Sequence, residues 1–111
     1  MQKRERPKSL PSITTRTETG CGHLYVRVSQ DEEGKPFEVF ATLGKAGNCA
    51  TCQNEALTRA ITLGLRYGIP VEEYVKELTG IRCPSPYLYP KEEATLSCAD
   101  AIAQVLKGGL K

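Results

Sequence analysis

The chain has no Trp, only two Phe and a single His among its 111 residues. Large-aromatic packing is therefore scarce, in a domain close to the size at which small proteins recruit a disulfide or a metal as a staple. With one His to serve every scheme no Ser/His/Asp set is suggested, and His23, beside Tyr25 on the polar face of an expected strand, reads as a surface residue. No run of ~18 apolar residues occurs, which excludes a membrane-spanning helix, and the opening MQKRERPKSLPS has no apolar signal-peptide core. A cytoplasmic location is expected. The pattern G-x-x-x-x-G-K-[ST] is also missing, so Gly44-Lys45-Ala46-Gly47 alone is a weak phosphate signal.

The net charge is only +2, so the body exerts no strong electrostatic pull on nucleic acid. The imbalance sits at the start, where Lys3, Arg4, Arg6 and Lys8 face one acid, Glu5. Residues 1–11 read as a basic flexible leader, broken by Pro7 and Pro11, whose cations are candidate phosphate contacts. Residues 12–111 read as one domain. Scattered acids such as Glu72-Glu73 and Glu92-Glu93 read as solvated faces.

Within the domain, ITTRTE (13–18) suits an edge strand, followed by the Gly-flanked bend TGCG. HLYVRVSQ (23–30) alternates, with Leu24, Val26 and Val28 on one face, and FEVFATL (37–43) alternates likewise across the polar turn DEEGKP. The period then changes. From Cys49 to Tyr67, Gln53, Ala56, Ala60 and Gly64 fall along one line, with Leu57, Ile61 and Leu65 beside them, which predicts a helix stopped at Gly68. A second helix over 70–80 has early acids and an apolar stripe of Val71, Tyr74, Val75 and Leu78. After a Pro-rich loop, Ser97 and Asp100 form a capping-box pattern that opens a third helix. The expected class is α+β: a small antiparallel sheet packed by three helices, in the order β-β-β-α-α-α.

Five cysteines in so short a chain are many, and in a reducing compartment they favour metal or redox chemistry over a disulfide framework. Cys21, Cys49, Cys83 and Cys98 all fall at element boundaries, where backbone can curl around an ion and helix N-termini favour thiolate. Four such thiolates would close a tetrahedral structural zinc site. The spacing holds only one C-x-x-C pair, Cys49 and Cys52, so separate thiols and a dithiol redox pair stay open.

Three long stretches, TGCGHLYVRVSQDEEGKPFEVFATLGKAGNC, EALTRAITLGLRYGIPVEEYVKELTGIRCPSP and LSCADAIAQVLK, closely resemble the TSCPD domain, found mainly at the C-terminal end of adenosylcobalamin-dependent (class II) ribonucleotide reductases. The resemblance covers about residues 7–107. The eponymous motif reads LSCAD, with Ala99 where Pro is usual. The family pattern implies cysteines at Cys21, Cys49, Cys83 and Cys98 as the zinc ligands, with Cys52 an extra thiol, a redox partner or an alternative ligand. Reductase catalysis needs a large barrel with a radical-forming cysteine and a cobalamin pocket. The resemblance therefore implies a non-catalytic module, free-standing or excised, that binds no cobalamin alone and docks on a reductase catalytic chain in DNA precursor synthesis. Two rival expectations are a Cys49/Cys52 relay that re-reduces the reductase, and a zinc-held nucleic-acid module using the basic leader.

Overall fold

A computed structural model describes residues 2–44 and 49–108. Strands β1 (Ser12–Thr19), β2 (Gly22–Gln30) and β3 (Pro36–Leu43) are followed by helices α1 (Cys49–Arg66) and α2 (Val71–Leu78), a 3-10 turn (Lys91–Glu93) and α3 (Cys98–Gly108). The class is α+β, as the patterning predicts.

The sheet is antiparallel in the order β1-β2-β3. Alternation sends Leu24 and Val26 of β2, both fully buried, toward the helices, with Val39 and Leu43 of β3 beside them. Their partners are in register: Val28 faces Ile13 on one side and Val39 on the other. A bulge at Ser29/Gln30 ends the regular pairing with β3. Helix α1 lies over β3, and α2 packs on α3. Ile61, Leu65, Ile102 and Leu106 complete the core. The buried stripe of α1 runs through Asn54, Thr58, Ile61 and Leu65, whereas Gln53, Ala56 and Ala60 face solvent. Thr58 satisfies its hydroxyl on the carbonyl of Asn54, one turn back, which lets a polar residue occupy that stripe.

The two sheet edges are treated differently. At β3, the Thr62 hydroxyl of α1 accepts from the Val39 amide (3.0 Å) and donates to the Val39 carbonyl (3.1 Å), so the helix caps the edge. Among the described residues β1 receives a single such bond, from the Thr95 hydroxyl to the Glu18 carbonyl (2.7 Å).

The basic leader makes specific contacts. The Arg6 guanidinium forks onto the Glu38 carboxylate at 2.9–3.2 Å, and Glu38 is only 3% exposed. Arg4 pairs with Asp31 at 3.0 Å, donates its amide to the Arg66 carbonyl and stacks 4.7 Å from the Phe37 ring centroid. Burial pushes the Glu38 carboxyl up, but hydrogen bonds from Arg6 and Ser29 and the charges of Arg6 and Arg27 outweigh it, leaving the group below its ordinary 4.5. A depressed carboxyl contributes stability above its unfolded value and loses it as pH falls through the folded one. Thermal melts from about pH 7 to about pH 3 should therefore show a falling Tm below ~4.5, with a shallower fall in Glu38→Gln. Equal slopes in the two proteins would refute the clamp.

Candidate metal centre

Cys21 lies in the two-residue turn between β1 and β2. Thr19 shapes that turn: its hydroxyl accepts from the Cys21 amide (3.1 Å) and donates to the Gly22 carbonyl (2.8 Å). Gly22, at φ +118°, occupies a conformation that side chains rarely adopt. Gly20 meets the Pro-rich loop so closely that a Cβ there would lie 1.5 Å from the Ser85 carbonyl oxygen. That approach sets the hairpin tip against the segment holding Cys83. A Gly20→Ala variant cannot relax by swinging a side chain, since the obstacle is backbone. Urea unfolding should show a loss of about 2–3 kcal/mol; an unchanged midpoint would mean the two loops are not in contact.

Cys83 is fixed twice. Its amide donates to the Leu96 carbonyl (2.9 Å), and its sulfur accepts from the Ser85 amide at 3.4 Å. Cys98 opens α3. Its neighbours build the support. The Ser97 hydroxyl accepts from the Asp100 amide (3.0 Å) and donates to the Ile81 carbonyl (2.6 Å). The Asp100 carboxylate, 4% exposed, accepts from the amides of Leu96 (3.0 Å) and Gly80 (2.9 Å) and from the Gln104 side chain (3.0 Å). The reciprocal arm of the expected capping box thus reaches Leu96, not Ser97. Sequence reasoning found the cap and missed that Asp100 also ties α2 to α3.

Cys83 and Cys98 both act on Cys21. Burial pushes the Cys21 thiol up, repulsion from Cys98 and Cys83 pushes it further, and hydrogen bonding to Cys98 adds to both. A divalent cation bound at Cys21 would offset that penalty and release the thiol proton. Among the described residues, no group of three or more His, Cys, Asp or Glu side chains is arranged to hold a metal ion. Cys21, Cys83 and Cys98 thus form no ligand cage as described.

Cys49, exposed, is the first residue of α1, and Cys52 is exposed one turn later. Residues 45–48, which include most of the Gly44-Lys45-Ala46-Gly47 motif, lie outside the described residues. The Gly44 amide donates to the His23 carbonyl (3.0 Å), so the chain leaves β3 beside the start of β2 and two residues from Cys21. The connection to Cys49 thus begins at the end of the sheet that carries the thiols. His23 bonds Glu18 on the outer face of the sheet and joins no metal-holding group among the described residues. Of the leader cations, Arg4 and Arg6 are ion-paired, while Lys3 and Lys8 are exposed with no ion pair among the described residues. No described helix is long and apolar enough to cross a membrane.

Comparison with known proteins finds relatives over about two thirds of the chain. The chain is 33% identical over 76 residues to the vitamin B12-dependent ribonucleotide reductases of Streptantibioticus cattleyicolor and Streptomyces coelicolor, a stretch that is 68% of this chain and 13% and 8% of theirs. It is 30% identical over 78 residues to the Agrobacterium fabrum reductase, covering 70% of this chain and 6% of that one. The chain thus corresponds to a small fraction of the length of these relatives. No solved structure matches. The TSCPD domain profile matches residues 1–108, and with the relatives it establishes that the chain belongs to the TSCPD domain family.

Proposed function

We propose that the chain is a zinc-stabilised, non-catalytic accessory module that docks on the catalytic chain of an adenosylcobalamin-dependent ribonucleotide reductase. The observation that supports the metal part is the approach of the segments that carry Cys21, Cys83 and Cys98, with Gly20 packed against Ser85 and the Cys83 amide bonded to the Leu96 carbonyl. Cys49 supplies the fourth thiolate across the short connection from Gly44, and Cys52 is its substitute one turn on. The bound ion would cross-link the hairpin tip, the Pro-rich loop and the start of α3 in a fold with few large aromatics. Such a closed four-thiolate site has no open coordination position and activates no water. The relatives' names support the reductase part. A pull-down with the purified catalytic chain, with zinc quantified on the same sample, tests both: retention of zinc-loaded protein is expected, and failure of the loaded protein to bind refutes docking.

A second reading rests on the exposure of both Cys49 and Cys52 at a helix start. Here the pair passes two electrons and two protons to a disulfide in the reductase, becoming a disulfide itself. Cys52→Ser abolishes such a relay and leaves the four-thiolate site intact. The nucleic-acid reading is less well supported, because Arg4 and Arg6 are held by carboxylates.

A further inference from the structure

We propose that the free edge of β1 is a strand-addition site for an extended, cationic, alternately apolar segment of a partner protein. The inference stands on the edge and the groove beside it, independently of the metal.

The ladder between β1 and β2 fixes which backbone groups point outward. The Gln30 amide donates to the Pro11 carbonyl, so that pair is hydrogen-bonded, and antiparallel pairs alternate from there. Ile13, Thr15, Thr17 and Thr19 therefore face β2, while Ser12, Thr14, Arg16 and Glu18 turn their amides and carbonyls to the open side. The Glu18 carbonyl confirms the phase, since it is the one taken by Thr95. The outward groups of Ser12, Thr14 and Arg16 have no hydrogen-bond partner among the described residues. At the opposite edge, Val39 has both of its outward groups satisfied by Thr62. Exposed edges are normally blunted, and among the described residues the β1 edge is bonded only at its Glu18 end.

Beside the open edge runs a groove of about 540 Å³ between β1 and α3. Its floor includes Ile13 and Val28, and Val105 forms part of the wall. Ile13 points to the helix side of the sheet yet remains 61% exposed, because the helices do not reach over β1 at this end. A strand added to β1 would bond Ser12, Thr14 and Arg16 through its backbone and drop alternate apolar side chains into the groove. The rim selects charge: Glu92 and Glu93 both line the groove and neither forms an ion pair among the described residues. Lys or Arg on the incoming segment would meet them.

The test uses the purified whole chain and a short synthetic peptide in which Val alternates with Thr and Lys. Titration followed by amide exchange should show binding and slow exchange of the Thr14 and Arg16 amides by at least about tenfold. Thr14→Pro removes one outward donor while leaving the ladder to β2, and should weaken binding by about fivefold or more, as expected for one main-chain hydrogen bond. The pair Glu92→Lys and Glu93→Lys leaves the backbone untouched and should weaken it similarly. No binding, or binding indifferent to both variants, overturns the proposal. So does protection of these amides without peptide in a sedimenting dimer, which would make a second copy the occupant.

Discussion

Replacing Asp100 by Ala should cost about 3–5 kcal/mol, a large part of the roughly 5–15 kcal/mol that holds a chain of this size together. The carboxylate is buried and accepts from two backbone amides and one side-chain amide on three different segments. Removing it strands the amides of Gly80 and Leu96 together, which costs more than the loss of the bonds themselves. Asp100→Asn keeps one acceptor oxygen and should cost about half as much. Glu72→Ala, exposed on α2, should change stability by less than ~0.5 kcal/mol. Chemical unfolding of the three variants gives the ranking. If Asp100→Ala matched Glu72→Ala, the role assigned to the motif acid would be wrong. The consequence extends to the thiols, since Asp100 and Ser97 together fix the helix start that presents Cys98.

The second large effect concerns the metal. A ligand held at about a thousand times its dissociation constant stabilises the folded state by about 4 kcal/mol. For a domain of about 100 residues that corresponds to a Tm difference on the order of 20 °C. Treating the zinc-loaded protein with a strong chelator should lower Tm by that amount, and readdition of zinc should restore it. Cys21→Ser, Cys83→Ser and Cys98→Ser should each melt near the chelated protein, irrespective of chelator. Cys49→Ser and Cys52→Ser separate the two candidates for the fourth ligand: only the true ligand should abolish the response. A chelator-insensitive Tm in the wild-type protein would leave the thiols without a structural role.

Local pattern carried the element order. Strict alternation in 23–30 and 37–43 matches β2 and β3 because one face of each packs on helices, and the Ser97/Asp100 spacing marks the start of α3. What depended on tertiary approach was not readable in the same way. Glu38 stands at a polar position of an alternating strand, and nothing nearby in sequence says that Arg6, 32 residues away, will cover it. Asn54 and Thr58 look like solvent residues of α1, yet both lie on its buried stripe. Gly20 looks like an ordinary turn glycine, and only the Ser85 carbonyl explains why no side chain fits. Boundary positions singled out Cys21, Cys83 and Cys98, and what the fold adds is that the turn, the loop and the helix start that carry them approach one another through the Gly20–Ser85 and Cys83–Leu96 contacts. The same logic applied to Cys49 rests on the start of α1 alone.

The most direct measurement is the zinc content of protein purified without chelator, paired with titration of its free thiols under native conditions. One equivalent of zinc per chain, with a single reactive thiol until a chelator exposes the other four, is the predicted result. Protein with less than ~0.3 equivalents and five freely reactive thiols would contradict the account.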